Sequence, residues 1–266
     1  MKNVATYFVV GDVHGFFDKL KDALDKSGFD IGNPNHVFIS LGDLLDRGQW
    51  ANECLEFVNN IPNDRKILIR GNHEDLMEDA IRRGYFLQHD YHNKTNDTVE
   101  QLTGLSYPLA TESEMLIKMN EHSQWVKYIN SCIDYYETDK YVFVHSFIPL
   151  FTNDWRNGDW YEARWGNPFE DWQNGLNITG KTIVCGHWHT SWAHSNIHHQ
   201  GTEFNSPINA MCGYNTANFG IFKDDGIIGI DACTAVSGQV NVLKLGKQHK
   251  LNNQILYGQM TFDDLK

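Results

Sequence analysis

Short apolar runs alternate with amphipathic stretches through the first third of the chain. Tyr7-Phe8-Val9-Val10 is aromatic and β-branched throughout, the pattern of a buried strand. The segment after it places Phe17, Leu20 and Leu24 at i, i+3 and i+7, on one face of a helix. Val37-Phe38-Ile39-Ser40-Leu41 repeats the strand, and Ala51, Cys54, Leu55 and Val58 repeat the helical spacing. Lys66-Ile67-Leu68-Ile69, followed by Leu76, Met77, Ala80 and Ile81, makes a third such unit. Strands alternating with helices predict right-handed crossovers and a largely parallel sheet. Beyond about Asp90 the alternation stops. His89 to Ser106 reads as polar and irregular and Glu112 to Cys132 as helical, predicting a small helical lobe over about residues 90–135. Tyr141 to His145, Thr182 to Cys185, Ile227 to Asp231 and Val240 to Leu245 predict a second sheet. The expected fold class is therefore α/β: two packed mixed β-sheets flanked by helices, with a small helical lobe. No low-complexity stretch, Pro-rich linker or internal repeat marks a boundary, so one domain over residues 1–266 is expected.

Composition narrows the function classes. A formal net charge of −12 argues against a nucleic-acid surface, because phosphate backbones reward Lys and Arg. It leaves an anionic small substrate open, since bound divalent ions dominate the local field of a metal site. The cysteines Cys54, Cys132, Cys185, Cys212 and Cys233 lack Cys-x-x-Cys spacing and are odd in number, which points to reduced thiols. Val4 to Val10 is too short for a secretory core or a membrane span, so a cytoplasmic protein with no membrane partner is expected.

The chemistry sits where the apolar runs end. Gly11-Asp12-Val13-His14-Gly15, Gly42-Asp43-Leu44-Leu45-Asp46-Arg47-Gly48, Gly71-Asn72-His73-Glu74 and Gly186-His187-Trp188-His189 each follow such a run, and His145 closes another. Any one alone is ordinary turn or cap chemistry. Repeated at the carboxyl ends of successive strands, where open α/β sheets build their sites, they offer the oxygen and imidazole ligands of a two-metal hydrolytic centre. No Ser or Cys stands in a nucleophile context such as Gly-x-Ser-x-Gly, so a covalent route is not indicated.

These motifs resemble those of the calcineurin-like metallophosphoesterases, and within them the phosphoprotein phosphatase branch that includes the bacteriophage lambda-type serine/threonine protein phosphatases. Gly-Asp-x-His-Gly, Gly-Asp-x-x-Asp-Arg-Gly and Gly-Asn-His-Glu are intact here, and the likeness runs over about residues 5 to 246. The resemblance implies two divalent ions, Mn²⁺ foremost with Fe, Zn²⁺ or Ni²⁺ as alternatives. Asp12 and His14 would bind the first, Asp43 would bridge both, and Asn72, His145 and His187 would complete the second. It implies that His73 protonates the leaving alkoxide with Asp46 holding its other ring nitrogen, while a metal-activated water attacks phosphorus in line. Arg47 offers a planar fork for the phosphate. Of the arginines between the His145 and His187 motifs, Arg164 fits the family's second phosphate position better than Arg156, and Arg70 is a further candidate.

Two features depart from the branch. His187 and His189 form Gly-His-x-His where the branch carries one His; in the wider superfamily the second His binds the first metal. On an extended segment i and i+2 point the same way, so His189 is expected to join the ligands. The stretch of about residues 190–222 is long, rich in His and Asn, and expected to be a substrate-facing loop. The function expected is phosphomonoester hydrolysis, on a phosphorylated protein or a small phosphomonoester. The alternative is a symmetrical dinucleoside tetraphosphate hydrolase, whose pattern replaces the Asp at position 46 with Ala and the Glu at 74 with Asp. A non-catalytic scaffold is the remote alternative, since it would be expected to lose ligands that are all present.

Overall fold

The β-branched runs form strands whose alternate side chains face two different cores. The computed structural model describes residues 5–204 and 216–246. In the first sheet β1 (Thr6–Val10), β2 (His36–Ser40), β3 (Lys66–Ile69) and the short β4 (Cys132–Ile133) pair in parallel in that order. The second sheet has the order β5-β6-β7-β9-β8, from β5 (Tyr135–Glu137), β6 (Tyr141–Val144), β7 (Thr182–Cys185), β8 (Phe222–Asp224) and β9 (Ile227–Gly229). Its central strands β6, β7 and β9 are parallel, and β5 and β8 are antiparallel edges.

Period-two alternation explains how the sheets stack. Val9, Ile39, Ile69, Phe143, Val184 and Ile228 point inward and pack together between the sheets. Their neighbours Phe8, Val10 and Phe38 point outward onto helices α1 (Phe17–Ser27) and α2 (Ala51–Asn60). Val142, Val144, Ile183, Cys185 and Ile227 point outward on the far side, against Trp155, Trp160 and Phe169. The expected two-sheet sandwich flanked by helices is the observed architecture.

Two details differ from expectation. Val242–Leu245, expected in the second sheet, forms β10 and closes the first sheet antiparallel to β1, with Tyr7 opposite Leu245. Hydrophobic pattern identifies a strand but not its partner, and here the chain returns to its own beginning. The region His89 to Ser106 is not irregular. After α3 (Asn72–Arg83) come α4 (Gln88–Asn93) and α5 (Thr95–Thr103), then α6 (Glu112–Asn120) and α7 (Ser123–Ile129), which together make the helical lobe. Helix α5 escapes a periodicity reading because Thr95, Thr98 and Thr103, which are polar, are among its buried residues. The expected loop 190–222 opens as a helix (Thr190–Asn196), and residues 205–215, with Cys212, lie outside the described residues. Among the described residues no helix is long and apolar enough to cross a membrane.

Candidate active site

The carboxyl ends of β1, β2, β3, β6 and β7 all face one way, and each is followed within three residues by a polar cluster: Asp12 and His14, Asp43, Asn72 and His73, His145, and His187. To turn so sharply, the backbone takes the left-handed region at Asp12, His14, Asp43, Asp46, Arg47 and His187. Such conformations cost roughly 1–3 kcal/mol each and persist only where surrounding contacts over-determine them. Close approach also dictates two glycines. A Cβ on Gly186 would collide with Asp12 Oδ2, and one on Gly71 with Asp43 Oδ1.

Two groups of ligand atoms result, His14 with Asp43 and His73, and Asp43 with His145 and His187, each with all its ligand atoms within 4.8 Å of one another. Asp43 is common to both. Asp12 accepts from His187 N at 2.9 Å through Oδ1, while its buried Oδ2 has no hydrogen-bond partner.

The donor set itself asks for cations. His145 Nδ1 must donate to the Leu41 carbonyl at 2.8 Å, so in the neutral ring Nε2 carries a lone pair. That lone pair faces Asn72 Oδ1 at 2.8 Å, His187 Nδ1 at 3.2 Å and Asp43 Oδ1 at 3.4 Å. His14 repeats the device: Nδ1 donates to Leu45 O at 3.1 Å and Nε2 looks at Asp43 Oδ2 from 3.6 Å. Burial, chiefly, pushes His14 and His145 below their ordinary values and His187 down to about 3, which keeps these imidazoles neutral. Burial opposes the charge on Asp43, but the histidines that ring it, His73 with its raised value among them, favour the carboxylate and hold it well down. Burial, with Asp231 and Asp43 nearby, pushes Asp12 up. Neutral imidazoles, an amide oxygen and carboxylates converging on one another fit divalent ions.

His73 differs from these histidines. Its Nδ1 lies 2.7 Å from Asp46 Oδ2, and its Nε2 lies 3.3 Å from Arg47 Nη2. Burial works against its charge, yet Asp43 and the hydrogen-bonded Asp46 prevail and raise it above its ordinary value. Arg47 is exposed, so its guanidinium borders both His73 and solvent.

The remaining candidates are placed elsewhere. Arg164 is buried, with Nε and Nη2 on Asp75 at 2.7 and 3.2 Å and Nη1 on Asp134 at 2.8 Å. Arg70 is held by Asp75 and Glu78, and Arg156 by Glu137. His189, expected to join the ligands, is in neither group of converging ligand atoms, and both its ring nitrogens have other partners. The segment is not extended: His187 is left-handed at φ 63°, and His189 caps α8 (Thr190–Asn196) by accepting from Trp192 N at 3.3 Å through Nδ1. Its Nε2 is 3.3 Å from Glu203. The i, i+2 argument assumes extended backbone, and His187, the first residue of the pair, has left the β region.

Sequence reading missed three supports. Glu74 accepts from Gly71 N, Asp43 N and Leu44 N at 2.8, 3.0 and 3.1 Å and from Tyr128 Oη at 2.9 Å, binding the second and third motifs together. Thr95 and Thr98 hydrogen-bond Asp46. Only Glu74 carried a sequence signal, its place three residues after a strand-end Gly at a helix start.

Residues 5–207 match the calcineurin-like phosphoesterase family model, and the chain belongs to that family. Its relatives represent more than one activity within it. The chain is 41% identical over 71 residues to a symmetrical bis(5'-nucleosyl)-tetraphosphatase from Actinobacillus succinogenes, a stretch covering 27% of this chain and 24% of that protein. The chain thus spans only about a quarter of the length of that curated relative. It is 27% identical over 165 residues, 62% of this chain and 69% of that protein, to serine/threonine-protein phosphatase 1 of Salmonella typhimurium, a member of the phosphoprotein phosphatase branch. In fold it is similar to the cold-active protein-tyrosine phosphatase of a psychrophilic Shewanella, with a TM-score of 0.53 at 14% identity over 90% of this chain and 75% of that one.

Proposed function

We propose that the chain is a two-metal phosphomonoester hydrolase of serine/threonine protein phosphatase type. The observation that carries this reading is the contact of Asp46 Oδ2 with His73 Nδ1 at 2.7 Å beside the ligand cluster. Asp12, His14 and Asp43 would hold one ion, and Asp43, Asn72, His145 and His187 the other. When bound, divalent ions supply Lewis-acid polarisation of the phosphoryl group and a water of lowered pKa.

The chain's own side chains account for the rest. Arg47 is exposed, and its fork suits two equatorial phosphoryl oxygens, where it would offset the charge that develops as the bond to the leaving group lengthens. His73 gives its Nε2 proton to the leaving oxygen, while its Nδ1–H stays donated to Asp46, which so orients the ring. Arg164, fixed on Asp75 and Asp134, would reach phosphate only with the donor positions those carboxylates leave free.

A second reading, dinucleoside tetraphosphate hydrolysis, draws support from the 41% identity to the Actinobacillus enzyme. Asp46 and Glu74 favour the first, because the tetraphosphatase pattern has Ala and Asp at those positions. Initial rates on a phosphoserine peptide, a dinucleoside tetraphosphate and an aryl phosphate, at one Mn²⁺ concentration, test the choice. The peptide and the aryl ester should be turned over and the tetraphosphate left intact; symmetrical cleavage of the tetraphosphate with no peptide turnover would reverse the assignment.

A further inference from the structure

Helix α5 belongs to the lobe, yet its inner face serves the site. Thr95, Thr98 and Gln101 stand on successive turns, and all three reach the loop that carries Asp46 and Arg47. Thr95 Oγ1 donates at 2.8 Å to Asp46 Oδ2, the same oxygen that meets His73 Nδ1. Thr98 Oγ1 donates at 3.0 Å to Asp46 Oδ1 and accepts from Asp46 N at 3.2 Å. Gln101 Nε2 donates to Gly48 O at 3.0 Å, Gln101 Oε1 accepts from Ala51 N at 3.0 Å, and Arg47 N donates to Asn93 O at 3.2 Å. Thr95 and Thr98 are fully buried, so neither hydroxyl has water to turn to.

The loop needs such clamping. Asp46 and Arg47 are consecutive non-glycine residues at φ 70° and 63°, a conformation the chain does not hold unaided. A carboxylate rotates freely about Cβ–Cγ unless both oxygens are engaged. With Thr98 on one oxygen and Thr95 on the other, the oxygen facing His73 keeps its direction.

We infer that Thr95 and Thr98 are positioning residues for proton delivery by His73, acting through Asp46, so that the helical lobe is part of the catalytic apparatus. This rests on the general-acid role proposed above for His73. Losing either hydroxyl would leave the metal ligands in place but let Asp46 and the His73 ring wander, and orientation errors of this size are felt in rate.

The test compares Thr95→Val, Thr98→Val, Thr95→Ser and Thr98→Ser with the full chain and with His73→Asn, at saturating Mn²⁺. Two substrates are used: a phosphoserine peptide, whose alkoxide must be protonated, and 4-nitrophenyl phosphate, whose phenolate need not be. Each Val variant should lose about 10- to 100-fold in kcat on the peptide, within the roughly 10²–10⁴ a general acid supplies in all, and distinctly less on the aryl ester. The Ser variants keep the hydroxyl and should recover most of the peptide activity. Equal losses on both substrates, no loss, or Ser variants as impaired as Val would overturn the inference. A His73→Asn protein with no leaving-group bias would overturn the general-acid reading itself, and this inference with it. Bias in His73→Asn without bias in the Val variants would sink this inference alone.

Discussion

Asp43 is the residue through which both ligand groups meet, with Oδ1 toward His145 and Oδ2 toward His14 and His73. Asp43→Asn keeps the shape but removes the shared charge, so both metal affinity and rate should fall, measured as the Mn²⁺ concentration for half activity and as kcat. His73→Asn should separate these effects. Ion stoichiometry by elemental analysis should stay at two per chain while peptide hydrolysis slows by roughly 10²–10⁴. His189 should behave as neither. Because its ring caps α8 and faces Glu203, His189→Ala should leave the Mn²⁺ requirement unchanged and reduce stability by about 0.5–2 kcal/mol, the range for losing a helix N-cap, read from a urea midpoint. A raised Mn²⁺ requirement would restore it to the ligand set. Its placement was beyond sequence reading because the two histidines look alike on paper, and the left-handed turn at His187 breaks the extended spacing that the i, i+2 argument needs.

The elements divide by how their buried side chains read. β1, β2, β3, β6 and β7 were legible because each buries mostly apolar residues and runs within two residues into a Gly or a ligand His. Helix α5 was not, because its buried Thr95 and Thr98 hydrogen-bond Asp46, and a polar inner face mimics a loop in any hydrophobic count. Helix α7 hides a similar duty. Tyr128, wholly buried, lends its hydroxyl to Glu74, whose carboxyl is pushed up to about 7 by burial first and by Asp43 next. Tyr128→Phe removes one of four donors from that carboxyl and should destabilise the protein by about 1–3 kcal/mol. A urea melt checks it, and an unchanged midpoint would mean the other donors suffice.

At the scale of the molecule, Asp12, Asp43, Glu74 and Asp231 are all buried around one point, so the native state gathers acidic groups that the unfolded chain keeps in water. Ions that bind only the native state stabilise it by RT ln(1 + [L]/Kd), about 2.7 kcal/mol at a hundredfold excess over Kd. Chelation should therefore lower Tm as well as abolish activity, and calorimetry with and without Mn²⁺ measures the former. Acid acts elsewhere. Arg156 foremost, against the cost of desolvation and with Lys181 assisting, holds Glu137 down to about 2. A carboxylate depressed in the native state adds stability that is present above its unfolded value near 4.3 and is lost as pH falls toward about 2. Glu137→Gln should flatten the urea midpoint across that window and leave it flat at neutral pH. The return of β10 to β1 has a consequence in time rather than in energy. Among the described strands β1 is synthesised before all the others, yet the strand that covers its outer edge, with Leu245 opposite Tyr7, is made after all of them. Throughout synthesis that edge stays bare, a template for pairing with other chains. A nascent chain arrested before Val242 should be cut readily by protease and engage holding chaperones, and one extended past Leu245 and clear of the exit tunnel should not.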